Sequence, residues 1–206
     1  MSKQRIMIGW MKVPANEFTE ESASESDSIP VKISWEKGKK ASRASECGRK
    51  LLRALLRDMY GIEISGEKES VSREKDGKPF LIDYPGIYFN ISHSGDYAVC
   101  AVGEVPLGID IQYHKTGDHR KLARRIMTQE EWKRYENSGF QEEFLFRCWT
   151  RKESFLKYTG EGIRRELRNL IYERCSFIEC GLWPGYSGML CVPENWDGGL
   201  VIREIN

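Results

Sequence analysis

The chain has 206 residues, of which 40% are hydrophobic, so it can bury a sizeable core as one large domain or as two small ones. Its 32 lysines and arginines balance 31 aspartates and glutamates, and the net charge of +1 provides no overall field that would attract nucleic acid or an anionic membrane. We therefore expect neither of these as a partner, and any anion-binding site must be local.

The cysteines and the apolar segments bear on the cellular compartment. Six cysteines lie mostly within apolar runs and lack C-x-x-C spacing, which favours reduced core thiols over a zinc site or a disulfide framework. Gly9 and Lys12 interrupt the first apolar segment well short of the length of a signal sequence. No run approaches the roughly 20 apolar residues of a membrane span. We expect a cytoplasmic protein.

The first third of the chain predicts a strand, a loop and a long helix. Ile6, Ile8 and Trp10 alternate with other residues as in a half-buried strand, whereas residues 19–28 are too polar to pack and predict a mobile loop. Apolar residues then recur at helical spacing over 42–60, and the following glycine is a typical helix stop.

The middle of the chain predicts a turn followed by several short strands. Residues 65–78 are charged and contain the turn dipeptide Asp76-Gly77, which indicates an exposed connection. Segments 87–91, 97–102 and 107–112 are rich in strand-forming residues and are separated by turn residues. We expect them to form a small antiparallel sheet.

The last third predicts two helices and further strands. Thr128 and Glu131 have the spacing of a capping box and should begin a short helix. A longer helix follows with an apolar stripe, and Gly160 marks its end. Strands are expected around 175–178, 189–192 and 200–205.

Asp110 and Gln112 form the first candidate site. They flank Ile111 on a predicted strand, so both side chains point to one face while Ile111 enters the core. A carboxylate and an amide oxygen suit Mg²⁺, which prefers oxygen ligands and is often completed by water and substrate phosphates. The alternative is a polar outer face on an ordinary strand.

Glu153 and Lys157 form the second candidate. They are four residues apart on the long helix and therefore share one face, beside Trp149 and Leu156, which should anchor that face near the core. The alternative is a solvated ion pair of the kind common on exposed helices.

Possible phosphate donors form the third candidate. Ser92 and His93 lie where a strand ends, at a flexible glycine turn, and both can donate hydrogen bonds to phosphate oxygens. Lys78 adds a cation directly after the Asp76-Gly77 turn. If each residue is considered alone, the alternatives are that His93 has a structural role and that Lys78 is exposed to solvent.

Four motifs in this order resemble a known family. They are Gly-Lys-Pro at 77–79, Phe-Asn-Ile-Ser-His-Ser at 89–94, Gly-Ile-Asp-Ile-Gln at 108–112 and Trp-Thr-Arg-Lys-Glu-Ser-Phe-Leu-Lys at 149–157. The set resembles the 4'-phosphopantetheinyl transferases of the surfactin-synthetase-activating (Sfp) type, whose pattern is G-K-P, F-N-x-S-H-S, G-I-D-x-E and W-x-x-K-E-x-x-x-K.

The resemblance implies a fold and an activity. The fold is α+β, a pseudo-dimer of two similar α+β halves with a ligand cleft between them. Residues 1–103 would form the N-terminal half, and residues 104–206 the C-terminal half, which carries the metal-binding and catalytic residues and is shortened at its end. The activity is transfer of the 4'-phosphopantetheine moiety of coenzyme A to a serine of an apo acyl or peptidyl carrier protein, with release of 3',5'-adenosine bisphosphate.

The resemblance also implies catalytic and metal-binding roles. Asp110 and Glu153 would bind Mg²⁺, and Lys157 would contact the pyrophosphate of coenzyme A. Glu153, or a water that it orients, would accept the proton of the carrier serine. Gln112 stands where the family commonly has glutamate; its amide oxygen could still ligate Mg²⁺, but one negative charge is lost.

Further positions would line the coenzyme A site. Lys78, Ser92 and His93 would hold the nucleotide end, with His93 near the 3'-phosphate. Arg49, on the arginine-rich first helix, is a candidate for the same phosphate region, and Glu131 is a candidate for lining the site.

Two other functions are compatible with the same residues. A Mg²⁺-dependent nucleotide phosphoesterase would need the same acidic pair but no carrier protein. A non-catalytic coenzyme A-binding module would keep the fold and lose turnover with the change to Gln112. The pathway of the carrier, whether fatty acid, polyketide or nonribosomal peptide, is not encoded in these motifs, and a pseudo-dimer favours a monomer.

Overall fold

The computed structural model describes residues 4–14, 32–64, 70–161 and 166–206, with the side chains of the first helix described from Arg43 onward. The described chain forms nine strands and four helices. In chain order these are β1 (Arg5–Lys12), α1 (Lys32–Tyr60), β2 (Val71–Arg73), β3 (Pro79–Leu81), β4 (Tyr88–Ser94), β5 (Tyr97–Gly103), β6 (Gly108–Tyr113), α2 (Arg120–Ile126), α3 (Gln129–Asn137), α4 (Glu142–Thr159), β7 (Cys175–Glu179), β8 (Tyr186–Pro193) and β9 (Gly199–Glu204).

The strands form two main sheets and one small hairpin. The first sheet has the order β4-β5-β1-β9, the second has the order β6-β8-β7, and β2 pairs with β3. All pairs are antiparallel except β1 with β9, which run parallel. The last strand of the chain therefore completes the sheet that the first strand begins.

The two halves of the molecule repeat one arrangement. In the first half, β1 is followed by α1 and the hairpin β4-β5, and the sheet order is β4-β5-β1; in the second, β6 is followed by α4 and the hairpin β7-β8, and the order is β7-β8-β6. Each long helix packs on its own sheet. The expected α+β fold of two related halves is confirmed. β9 belongs to residues 104–206 by sequence, although it lies in the sheet of the first half.

The main core lies where the two sheets meet. One buried cluster combines Ile6 and Ile8 of β1 with Ile109 and Ile111 of β6, among other residues of both sheets. Burial of each such side chain contributes about 1.5–3 kcal/mol to folding. A second cluster lies between α1 and the other face of the first sheet, where Leu51, Leu52, Leu55 and Leu56 contact the strands. Each sheet is therefore buried between its helix and its partner sheet.

Several sequence predictions are confirmed by these elements. Gly61 follows α1 with a φ of 66°, and Gly160 caps α4 with a φ of 82°; both are backbone conformations that favour glycine. The capping box of Thr128 and Glu131 is present at the start of α3. All six cysteines are free thiols, and four of them are buried. Among the described residues, no helix is long and apolar enough to cross a bilayer.

Other predictions need correction. The helix α1 begins at Lys32 rather than at residue 42, because apolar spacing indicates a helix only where apolar residues recur. The expected exposed connection contains the hairpin β2-β3 around Asp76-Gly77. β6 does not join β4 and β5 in one sheet but pairs with β8. The helix α2 was not predicted, and the expected loop over residues 19–28 lies outside the described residues.

Candidate active site

Close packing of α4 on β6 brings the predicted acidic residues together. Ile109 and Ile111 of β6 point into the core between the sheets, and Gly108 faces α4. A Cβ atom at Gly108 would lie 2.2 Å from the carbonyl oxygen of Ser154 and 2.4 Å from the amide nitrogen of Tyr158. Only glycine allows this approach, so the motif glycine sets the distance between α4 and the strand that carries Asp110.

Asp110 is buried and strongly bonded through one of its two oxygens. The residue is 6% exposed, and Oδ1 accepts hydrogen bonds of 2.8 Å from the Ser92 hydroxyl and 2.8 Å from the Lys157 ammonium. Lys157 also donates to the carbonyl oxygen of Ile109 at 3.0 Å. The second oxygen, Oδ2, is buried and has no hydrogen-bond partner in the part of the chain that the structure describes.

Glu153 supplies the second buried carboxylate. The residue is 8% exposed, and its Oε1 atom is likewise buried without a partner among the described residues. Burial raises the pKa of Glu153, the negative charge of Asp110 raises it further, and the positive charge of Lys157 opposes both. The alternative of a solvated ion pair between Glu153 and Lys157 is wrong, because Lys157 pairs with Asp110 and both carboxylates are buried.

These two carboxylates fit a hard cation. Each has one buried oxygen that no described residue bonds, and Mg²⁺ is typically held by one or two protein carboxylates together with water and phosphate oxygens. Within the described ranges, no group of three or more histidine, cysteine, aspartate or glutamate side chains could hold a metal. A closed all-protein cage is therefore not formed by these residues, whereas an open Mg²⁺ site on Asp110 and Glu153 fits them.

Gln112 lies on the same face of β6 as Asp110, and its side chain is half-buried. Its amide nitrogen is 3.4 Å from the carbonyl oxygen of Tyr113, a long hydrogen bond. No hydrogen bond between described residues joins Gln112 to Asp110 or Glu153. Its role as a metal ligand stays a prediction.

A cavity of about 240 Å³ lies beside Glu153 of the acidic pair and reaches both halves of the chain. It is lined by Lys78 and its neighbours in the β2-β3 turn, by Asn90 of β4, and by Glu153 and Lys157 of α4. Two larger surface cavities, of about 670 and 650 Å³, include none of Asp110, Glu153 and Lys157.

Lys78 is held at the rim of this cavity by α4. Its ammonium group donates a hydrogen bond of 2.5 Å to the carbonyl oxygen of Tyr158 and lies 5.9 Å from the centre of the Tyr158 ring. Burial lowers the pKa of Lys78, and Glu74 opposes this effect. The cation is thus fixed beside Glu153 and Lys157 rather than solvated.

The remaining phosphate candidates lie on two faces of β4. Ser92 points toward β6, whereas His93 shares the opposite face with Phe89 and Ile91, which pack near α1. Partial desolvation lowers the pKa of His93, and the charge of Lys157 lowers it further, while Asp110 opposes both. Arg49 is half-buried on α1, next to the glycine that packs against Ile91.

Glu131 has two structural partners. Its carboxylate accepts a hydrogen bond of 2.8 Å from the amide of Thr128 and pairs at 2.9 Å with the ammonium group of Lys152, which is only 2% exposed. The pair joins the start of α3 to α4. Its predicted place at the substrate site is not tested by these contacts.

Asn90 and Ser94 both lie within the quoted motif and make contacts that were not predicted from the sequence. Asn90 lines the cavity, and its side-chain oxygen accepts a hydrogen bond of 3.0 Å from the amide of Ile109. The Ser94 hydroxyl accepts one of 3.0 Å from the amide of Tyr113. The signal that could have identified them is the polar alternation Asn90, Ser92, Ser94 along a single strand.

Comparison with known proteins covers most of the chain. Residues 31–105 match the family model described as 4'-phosphopantetheinyl transferase, N-terminal, and residues 106–185 match that of the 4'-phosphopantetheinyl transferase superfamily. The chain is similar to the 4'-phosphopantetheinyl transferase psf-1 of Bacillus pumilus, with 36% identity over 59% of this chain and 52% of that protein.

Two further relatives extend this likeness. A 4'-phosphopantetheinyl transferase of Bacillus subtilis is 33% identical over 69% of this chain and 66% of its own length. The human L-aminoadipate-semialdehyde dehydrogenase-phosphopantetheinyl transferase is 32% identical over 64% of this chain and 47% of its own length. The chain thus spans about half to two thirds of the length of these relatives. Since the two family models meet at the boundary between the repeated halves and together match residues 31–185, the chain belongs to the 4'-phosphopantetheinyl transferase superfamily.

Proposed function

We propose that this chain transfers the 4'-phosphopantetheine moiety of coenzyme A to a serine hydroxyl of an apo acyl or peptidyl carrier protein, releasing 3',5'-adenosine bisphosphate. The observation that carries this proposal is the cluster of the buried Asp110 and Glu153 with the half-buried Lys157, in which each carboxylate has one oxygen without a partner among the described residues. The cluster borders a cavity that also holds the Lys78 cation. Family membership supports the same reaction.

We propose that Asp110 and Glu153 hold Mg²⁺ through Asp110 Oδ2 and Glu153 Oε1, with Gln112 as a further candidate ligand. When bound there, Mg²⁺ would neutralise charge on the pyrophosphate oxygens of coenzyme A. Lys157 is fixed on Asp110 by a hydrogen bond of 2.8 Å and brings a second positive charge to the same place. Electrostatic stabilisation and positioning then supply most of the rate enhancement.

The reaction needs one bond to form and one to break. The serine oxygen of the carrier attacks the β-phosphorus of coenzyme A, and the bond from that phosphorus to the bridging oxygen breaks, so that 3',5'-adenosine bisphosphate leaves. The serine proton passes to Glu153 or to a water that Glu153 orients. A carboxylate that already binds Mg²⁺ is a poor base, so a water that Glu153 orients is an equal candidate for the proton acceptor.

We propose that the nucleotide end of coenzyme A is held by Lys78 and His93, with Arg49 near the 3'-phosphate, whereas the Ser92 hydroxyl donates to Asp110 instead. These side chains lie on the β2-β3 turn, β4 and α1 of the first half, while the acidic pair lies on β6 and α4 of the second. The substrate would therefore bind between residues 1–103 and residues 104–206. We further propose that the protein acts as a monomer in the cytoplasm, which suits its six free thiols.

The proposal is tested by the intact mass of apo carrier proteins incubated with the protein, coenzyme A and Mg²⁺. We expect one phosphopantetheine to be added, and no addition with Asp110→Asn, which removes a charge but keeps the shape of the side chain. Asp83→Ala, at an exposed turn outside the site, is the matched control and should retain activity.

The same assay separates the alternatives. Release of 3',5'-adenosine bisphosphate without any carrier would identify a nucleotide phosphoesterase. Binding of coenzyme A with no addition to any of a panel of fatty-acid, polyketide and peptide carriers would identify a non-catalytic binding module, for which Gln112 in place of glutamate is the favouring observation.

A further inference from the structure

The two sheets are joined by a ladder of side chains. Alternate polar residues of β4 accept hydrogen bonds from alternate backbone amides of β6, always 19 residues further along the chain. The bonds are Ile109 amide to Asn90 Oδ1 at 3.0 Å, Ile111 amide to Ser92 Oγ at 3.2 Å, and Tyr113 amide to Ser94 Oγ at 3.0 Å. We call these three contacts the side-chain ladder.

The ladder provides hydrogen-bond partners for the free edge of β6. In the described part of the chain, this strand pairs with β8 on one side and ends its sheet on the other, so its outward amides face no backbone carbonyls of a paired strand. Ile109 and Ile111 are buried, and an unpaired buried amide costs about 1–3 kcal/mol. Since each rung joins one residue of β4 to one residue of β6, the ladder also fixes the register between the strands.

The middle rung differs from the other two. The Ser92 hydroxyl accepts from the Ile111 amide and also donates to Asp110 Oδ1 at 2.8 Å. A hydroxyl has a single proton, so both contacts together fix its orientation. Lys157 donates to the same carboxylate oxygen. Because Oδ1 accepts from two donors, the orientation of the Asp110 carboxylate is fixed. Oδ2 is then the oxygen that has no partner among the described residues.

We propose that Ser92 is a positioning residue, which orients the Asp110 carboxylate for Mg²⁺ while the side-chain ladder holds β4 in register with β6. This inference rests on the proposed function, because it assumes that Mg²⁺ binds Asp110. With its proton on Asp110, Ser92 has none to give to a phosphate, which distinguishes this role from a direct contact with the nucleotide.

Calorimetric titration of Mg²⁺ into the protein saturated with coenzyme A tests the orienting role without any turnover. Loss of a group that orients a metal ligand typically weakens metal binding 10- to 100-fold, so Ser92→Ala should weaken Mg²⁺ binding by about tenfold or more. Coenzyme A binding measured in EDTA should stay within about twofold of the wild type. Ser94→Ala is the matched control: it loses one rung, does not touch Asp110, and should leave Mg²⁺ affinity within about twofold.

Two results would overturn the proposal. If Ser92→Ala left Mg²⁺ affinity unchanged, the hydroxyl would not orient Asp110. If it weakened coenzyme A binding equally with and without Mg²⁺, Ser92 would contact the nucleotide instead. In steady-state assays, Ser92→Ala should need a higher Mg²⁺ concentration for half-maximal activity. Its kcat at saturating Mg²⁺ and its KM for coenzyme A should stay close to those of the wild type.

Amide hydrogen exchange tests the ladder in the unaltered protein. The amides of Ile109, Ile111 and Tyr113 should exchange slowly, although their acceptors are side chains of β4 rather than backbone carbonyls. Rapid exchange at Ile111 would overturn the proposal. In Ser94→Ala, exchange should accelerate by about tenfold at Tyr113 alone. Neither exchange nor Mg²⁺ titration needs a carrier protein, so a protein that passes both tests but transfers nothing would refute the proposed function and not this inference.

Discussion

Replacement of Gly108 by alanine would place a methyl group between β6 and α4. The added Cβ would lie 2.2 Å from one backbone atom of α4 and 2.4 Å from another, whereas real Cβ atoms essentially never approach a neighbour within 3.0 Å. Both neighbours are backbone atoms of a helix, so no flexible side chain can move aside. Relief requires a displacement of α4 by about 1 Å.

The displacement should reduce both stability and activity. Overpacking of a rigid contact costs about 3 kcal/mol, which lowers the ratio of folded to unfolded protein on the order of a hundredfold. Because Glu153 and Lys157 lie on α4 and Asp110 on β6, the same shift separates the acidic pair. A misplacement of about 1 Å in a catalytic group can cost on the order of a hundredfold in rate.

Urea unfolding, followed by tryptophan fluorescence, measures the loss of stability. The rate of carrier modification, under conditions where the variant is folded, measures the loss of activity. The midpoint for Gly108→Ala should fall by about 1–2 M. Gly86→Ala is the control, since a Cβ there meets nothing within 4 Å, and it should change stability by less than about 0.5 kcal/mol. A stable, fully active Gly108→Ala protein would refute the argument that this glycine sets the geometry of the site.

Three further substitutions test individual side chains. Glu131→Ala should lower the free energy of unfolding by about 3 kcal/mol, because it leaves the buried Lys152 ammonium unpaired and removes a helix cap. A higher KM for coenzyme A at unchanged stability would instead support a place at the substrate. Gln112→Glu adds a negative charge beside Asp110 and should tighten Mg²⁺ binding or leave it unchanged; clear weakening in a titration would show that residue 112 lies away from the metal. Lys78→Met should raise KM for coenzyme A by about tenfold or more, because it removes a cation at the cavity. An unchanged KM would exclude contact between Lys78 and the substrate.

Local features of the fold could be predicted from the sequence because they depend on neighbouring residues. The alternation around Asp110 correctly separated the core-facing isoleucines from the polar face, and Gly61 and Gly160 marked the ends of two helices. Strand partners could not be predicted in this way. Gly108 of β6 faces Cys191 of β8, and nothing in the alternation of a strand encodes a partner so far along the chain.

The candidate site could likewise be predicted from the sequence only in part. Helical spacing placed Glu153 and Lys157 on one face, which is correct, but it suggested that they pair with each other. In the folded chain Lys157 reaches Asp110, because α4 packs directly on β6. The side-chain ladder could not be predicted either. Its constant offset of 19 residues indicates contacts only if β4 and β6 are known to lie side by side.

The parallel pairing of β9 with β1 constrains the order in which the protein can fold. Ribosomal synthesis releases β1 first, and one of its edges stays open until Gly199 and the residues after it have emerged. Open strand edges are templates for pairing with other chains. The first sheet therefore stays incomplete until β9 has been synthesised, and a chain cut after Pro193 would keep this edge open and would be prone to aggregate.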